Sequence, residues 1–292
     1  MLLRLALFLL LLFEMGACTP PESPTPSPTA LPRPSSAPAT ALPASPTPAA
    51  TPSPAATSHC RLPGRLVAAR LESSTLGRPL RYQIYLPPCY AGQTASRYPL
   101  LFLFHGLYYD ETQWVRLGLA PAADRLIASG EIPPLLIVLP YDPTWTEPPE
   151  SQFGQALLAD LLPALEATYR LLPERQVRAV GGLSRGAGWA LHLGLTRPDL
   201  FAAIGAHSPI VFGRDANHIA EWLANLSADQ PLRFYLDIGQ NDTGLPQALW
   251  LEGLLDDAAL PHEWHLNQGT HDEAYWSSHL EEYLLWYASG WR

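Results

Sequence analysis

Gly182-Leu183-Ser184-Arg185-Gly186 has the residue types and spacing of a nucleophile on a tight turn, G-x-S-x-G. An apolar run, Val177–Gly181, leads in, and small and apolar residues lead out through Leu191. That context fits a serine held between a strand and a helix, its hydroxyl lifted clear of the sheet. Glycines two residues either side let neighbouring backbone pass without a Cβ clash. The helix that follows would aim its first amides at an oxyanion formed beside the serine. The plain alternative is a glycine-rich β-to-α turn that happens to contain a serine.

A serine hydroxyl attacks well only when a base takes its proton and a third group orients that base. Partners of an elbow serine follow it in the chain as acid and then histidine, each on a loop at the carboxyl end of a strand. Asp242, in Gly239-Gln240-Asn241-Asp242-Thr243-Gly244, lies just past an apolar strand and before a helix. Asp237 falls inside that strand, where packing or hydrogen bonding is the expectation, and Asp256 and Asp257 fall mid-helix. A turn or N-cap role is the ordinary alternative for Asp242. His271, in Gly269-Thr270-His271-Asp272, follows the last strand, whereas His262 and His265 lie on it and His279 is mid-helix. Two amides would complete the site: Arg185 N–H, directly after the serine, and Leu107 N–H, in the loop His105-Gly106-Leu107-Tyr108. Gly106 is expected to permit the tight turn there, and His105 to shape the loop. Tyr108, Trp114 and Trp145 fall in loops that open on the same face and are candidates for stacking on a substrate ring. Packing within long loops is the alternative for these aromatics.

The elements that must position these residues are legible in the periodicity. Arg65–Ser73 and Leu80–Leu86 alternate around Leu76-Gly77-Arg78-Pro79 and predict an antiparallel hairpin. Apolar runs at Tyr98–Phe104, Leu135–Leu139, Gln176–Gly181, Ala202–Ala206 and Arg233–Ile238 predict buried strands, with a weaker one at His262–Leu266. Helical patterns fall between them, at Ala120–Ser129, Gln152–Tyr169, Gly186–Thr196, His218–Leu226, Gln247–Ala259 and Ala274–Ala288. Alternating βα units after an opening hairpin imply an α/β fold, a mostly parallel sheet with helices on both faces.

The chain has 292 residues and a formal net charge of -9. Without a basic patch, that balance argues against a nucleic-acid partner. All 18 basic residues are arginine, which excludes Ser–Lys dyads and Schiff-base chemistry. Residues 1–17 read as a signal peptide: Arg4 and the amino terminus supply charge, and Leu5–Phe13 is apolar but too short to span a membrane. Met15-Gly16-Ala17-Cys18 resembles a bacterial lipoprotein cleavage site, with methionine where leucine is usual. That likeness implies lipidation of Cys18 and a membrane contact through the lipid anchor only; ordinary secretion is the rival reading. Residues 18–58 are almost wholly Pro, Ser, Thr and Ala after the cysteine and predict an extended, solvated linker. Its reach is at most roughly 120 Å at ~3.1 Å per residue. Residues 59–292 form the predicted domain. In an exported chain Cys60 and Cys89 invite a disulfide; two buried thiols are the alternative.

At this point residues 65–292 resemble the esterase D-like branch of the α/β-hydrolase superfamily, which includes feruloyl esterases, S-formylglutathione hydrolase and the antigen 85 mycolyltransferases. The resemblance rests on Phe104-His105-Gly106-Leu107 with Trp114, Gly182-Leu183-Ser184-Arg185-Gly186, Gly239-Gln240-Asn241-Asp242, and Gly269-Thr270-His271 with Trp276. Ala187 stands where a second glycine is common. The resemblance implies an α/β-hydrolase fold, Ser184, Asp242 and His271 as triad, Leu107 and Arg185 amides as oxyanion hole, and no metal or other cofactor. No H-E-x-x-H or cysteine cluster suggests a metal either. The expectation is an exported, envelope-anchored serine esterase acting on a small-molecule or saccharide ester. An acyltransferase passing the acyl group to an alcohol is the alternative, and a non-catalytic binding protein on the same scaffold the third reading. The sequence leaves the natural ester and the oligomeric state open.

Overall fold

A computed structural model describes residues 62–291. The expected signal segment, Cys18, the expected linker and Cys60 lie outside the described residues, so all of these, with the Cys60–Cys89 pairing, stay expectations from sequence.

Eight strands form one sheet in the order β1-β2-β4-β3-β5-β6-β7-β8. The strands are β1 (Arg65–Ser73), β2 (Arg78–Leu86), β3 (Leu100–Phe104), β4 (Leu136–Pro140), β5 (Arg178–Leu183), β6 (Ala203–His207), β7 (Arg233–Gly239) and β8 (His262–Asn267). β1 and β2 pair antiparallel, as do β2 and β4; every other pair is parallel. The hairpin therefore extends the parallel sheet at one edge, and β8 closes the other.

Alternation along the strands divides the core into two layers. Leu100, Phe102 and Phe104 of β3 join Val138, Val180, Ile204 and Phe234 on one face. Leu101 and Leu103 join Ile137, Leu139, Ala179, Ala203 and Tyr235 on the other. The first face is covered by the segment 153–168, α5 (Arg185–Thr196), α6 (Ile219–Ala224) and α7 (Leu245–Asp257). The second is covered by α1 (Gln113–Arg116), α2 (Leu119–Ala128) and α8 (Glu273–Ser289).

The helix expected over Gln152–Tyr169 is broken into α3 (Phe153–Ala156), a π turn (Leu157–Leu161) and α4 (Leu162–Thr168). Pro163 lacks the N–H that would continue regular helical bonding, which a wider turn accommodates. The π turn presents Asp160 to Ser73 Oγ at 2.5 Å and Thr75 N at 3.0 Å, tying it to the β1–β2 hairpin. The four-residue helix α1 escaped the periodicity because one turn has no period to detect.

Candidate active site

Ser184 sits at φ 54, ψ -117 between β5 and α5. Positive φ is strained for a residue with a Cβ, and the surrounding contacts hold it there. Its amide donates to His207 O at 2.9 Å. Ala187 N donates to Ser184 O at 2.9 Å. The flanking glycines are sterically required. A Cβ on Gly182 would lie 2.3 Å from the carbonyl of Gly186, and one on Gly186 would lie 2.3 Å from Phe104 O. The helix start is thus pressed against both β5 and β3, and Ala187 fits beside it fully buried.

His271 follows β8, and its Nδ1 lies 2.7 Å from Asp242 Oδ2. A carboxylate only accepts, so Nδ1–H donates and Nε2 keeps the lone pair that could take a proton. Asp242 is 5% exposed. Its Oδ1 accepts the Gly244 amide at 2.7 Å. Burial pushes the Asp242 pKa up, but hydrogen bonds from His271, Gly244 and Ser208, with the nearby His271 charge, hold it below the ordinary carboxylate value. Trp276 meets the His271 ring edge to face, with centroids 5.0 Å apart. Its indole N–H donates to Ser208 Oγ at 3.0 Å, fixing the ring that backs the histidine. Among the described residues no hydrogen bond joins Ser184 Oγ to His271 Nε2; the side-chain partner of His271 is Asp242, through Nδ1.

The loop after β3 is held from two sides. Gly106 N donates to Gln113 Oε1 at 2.7 Å, so that amide is spent. Leu107 N donates to no acceptor among the described residues. His105 Nε2 accepts Asp142 N–H at 3.0 Å, which leaves Nδ1–H to donate to Gly106 O at 2.8 Å. Burial lowers the His105 pKa against smaller opposing effects, consistent with a neutral ring in this bridging role. The residue with positive φ in this loop is Tyr108, at φ 68, rather than Gly106.

Arg185 supplies more than an amide. Its guanidinium meets Asp142 Oδ2 at 2.5 Å and donates to Thr146 O at 2.8 Å. Asp142 also accepts the Trp189 indole N–H at 3.0 Å and the Thr144 amide at 3.0 Å. Sequence reasoning missed Gln113 and the structural role of Asp142, because neither belongs to a motif and each acts through a fold-dependent contact.

Of the three aromatic candidates, Tyr108 and Trp145 are 77% and 64% exposed and pack edge to face with centroids 4.5 Å apart. Both line a cleft of about 110 Å³ with Leu107, Asp142 and Arg185. Trp114 is a correction. It is 1% exposed in the core, its indole N–H bonded to Phe104 O at 3.0 Å, so it braces β3 and offers no face to a ligand.

A second polar centre lies beneath the site. Asp237, fully buried, accepts from His207 Nδ1 and from the Tyr275 and Tyr283 hydroxyls, each at 2.7 Å. This network ties α8 to β6 and β7 and accounts for Asp237 without a chemical role.

The family model described as "Putative esterase" matches residues 73–287. The chain belongs to this esterase family. Among curated relatives, an endo-1,4-beta-xylanase/feruloyl esterase of Xylanibacter ruminicola is 29% identical over 156 residues, covering 49% of this chain and 21% of that protein. An esterase of Mycobacterium tuberculosis is 33% identical over 176 residues, covering 56% of this chain and 36% of the relative. The chain thus spans about a fifth to a third of these relatives' lengths. A solved ferulic acid esterase superposes with a TM-score of 0.71 at 25% identity, covering 78% of this chain and 98% of that one. The chain shares with it the α/β-hydrolase fold.

Proposed function

We propose that this esterase hydrolyses carboxylic esters through an acyl-enzyme on Ser184. Ser184 Oγ attacks the ester carbonyl carbon as His271 Nε2 takes its proton. Asp242 orients His271 and stabilises the imidazolium. The amides of Leu107 and Arg185 donate to the oxyanion. Collapse expels the alcohol, which takes the proton from His271; water, activated by the same nitrogen, then releases the acid and frees the serine. The observation that carries this reading is the 2.7 Å His271–Asp242 pair on loops at the same end of the sheet as the strained Ser184.

The exposed Tyr108–Trp145 pair beside the cleft supports esters bearing a ring, phenolic or saccharide. Export, a lipid anchor at Cys18, the Cys60–Cys89 bridge and an envelope location complete the proposal, on the sequence of residues 1–60. No helix among the described residues is long and apolar enough to cross a membrane. Intact mass with and without reductant tests the bridge, and a mass shift at Cys18 tests the anchor.

The deciding experiment is hydrolysis of p-nitrophenyl acetate by the full chain beside Ser184→Ala. Loss of the burst and of turnover by several orders of magnitude is expected. Near wild-type turnover in Ser184→Ala would refute the mechanism. Added alcohol, with product analysis, separates hydrolysis from acyl transfer.

A further inference from the structure

Glu252 and Asp256 lie one helical turn apart on α7, and His262 opens β8 after the short connection between them. One potential ligand atom from each residue lies within 4.8 Å of the others. His262 Nδ1 is 2.9 Å from Leu260 O. A carbonyl oxygen only accepts, so Nδ1 carries a proton and Nε2 is the atom left for the carboxylates. Nε2 lies 3.9 Å from Asp256 Oδ1, beyond hydrogen-bond reach. The His262 side chain is 10% exposed, and the Asp256 carboxylate beside it is 67% exposed. Nε2 thus shares its surroundings with two carboxylates, and a cation held between the three groups, or a proton on Nε2, would balance their charge.

We propose that Glu252, Asp256 and His262 form a binding site for a borderline divalent cation such as Zn²⁺. One imidazole nitrogen and two carboxylate oxygens suit such an ion, with water completing its shell. A metal-binding histidine characteristically gives its other N–H to a carbonyl or carboxylate, which fixes the tautomer, and Leu260 O fills that role here. No local motif announces the site, because two ligands come from a helix and the third from the following strand. The ion would clip α7 to the start of β8. α7 begins just after Asp242 and β8 ends just before His271, so its effect falls on the segment that carries both. The site lies at the amino end of β8, six residues of strand from the His271 loop, which makes its role structural. The proposal does not depend on the ester chemistry.

The test is Zn²⁺ titration of the untagged, chelator-treated full chain by calorimetry, with thermal melts in parallel. One ion per chain, with a higher Tm when it is bound, is the expected result. Glu252→Gln, Asp256→Asn and His262→Gln should each weaken binding by about 10-fold or more. The two carboxylate variants change only partly or fully exposed helix positions and serve if His262→Gln folds poorly. Absence of saturable binding would overturn the site, as would Zn²⁺ affinity unchanged in the triple variant, which would place the ion elsewhere. A Ca²⁺ response that survives His262→Gln while Zn²⁺ has none would also overturn it. So would an Nε2 that NMR finds protonated at pH 8 and indifferent to Zn²⁺, since a proton would then be the cation.

Discussion

The Arg185 guanidinium and the Asp142 carboxylate meet at 2.5 Å directly behind the elbow, both less than a tenth exposed. One residue therefore offers its backbone amide to the proposed oxyanion hole and its side chain to the loop that carries Trp145. The next links, to Thr146 O and the Trp189 indole, make that loop part of the elbow's support.

Arg185→Ala keeps the amide but strands Asp142 in a buried setting. Removing one partner of such a pair costs about 3–5 kcal/mol. The expected outcome is a clearly lower Tm, with KM for ring-bearing esters raised more than kcat falls. A melt and a kcat-against-KM comparison check it. Unchanged stability would mean that Asp142 is adequately held by Trp189 and Thr144 alone.

Gly186→Ala would place a methyl 2.3 Å from Phe104 O, a backbone atom that cannot swing away. Overpacking of this kind costs about 1–3 kcal/mol. The helix start must retreat from β3, carrying the Arg185 amide with it. Thermal denaturation and p-nitrophenyl acetate turnover should fall together. Gly253→Ala, mid-helix in α7 where a Cβ meets nothing within 4 Å, is the matched control: it should leave turnover unchanged and hold or slightly raise Tm.

Trp145→Ala removes an exposed ring whose edge-to-face partner is Tyr108. An aromatic contact is worth about 0.5–1.5 kcal/mol, or roughly 2- to 10-fold in affinity. KM for an aryl or saccharide ester should rise by that factor, and acetate turnover should hardly change. Trp114→Phe, by contrast, should lower Tm without a selective effect on KM, since Trp114 is in the core.

Asp242 gives a pH signature. Its pKa is depressed in the folded state, so it contributes stability above the unfolded carboxylate value of about 3.9 and loses it as pH falls below that. Wild type should therefore lose more Tm than Asp242→Asn between pH 6 and pH 3. Asp242→Asn should also lower turnover by roughly three to four orders of magnitude at neutral pH, because His271 loses the acceptor that fixes its tautomer. Parallel loss of Tm in the two proteins would contradict the depressed pKa.

The order of strands and helices was legible in the sequence because apolar runs and helical periods report burial, and burial is a local pattern here. The elbow was legible for a similar reason: G-x-S-x-G encodes a backbone geometry that only nearby glycines permit. Asp242 and His271 could be nominated from their places after strands, since in a parallel sheet every strand end of one polarity comes to the same edge. What only the tertiary structure decided depends on contacts between distant segments. Trp114 and Trp145 are alike in sequence, yet one is sealed against Phe104 and the other stands in solvent. Gln113 holds Gly106 from a helix one turn long, below the reach of any period. Arg185, nominated for its amide, proved to have a side-chain partner 43 residues back in the chain. Burial is written residue by residue, whereas the partner of a buried polar group is chosen by the packing of the whole sheet.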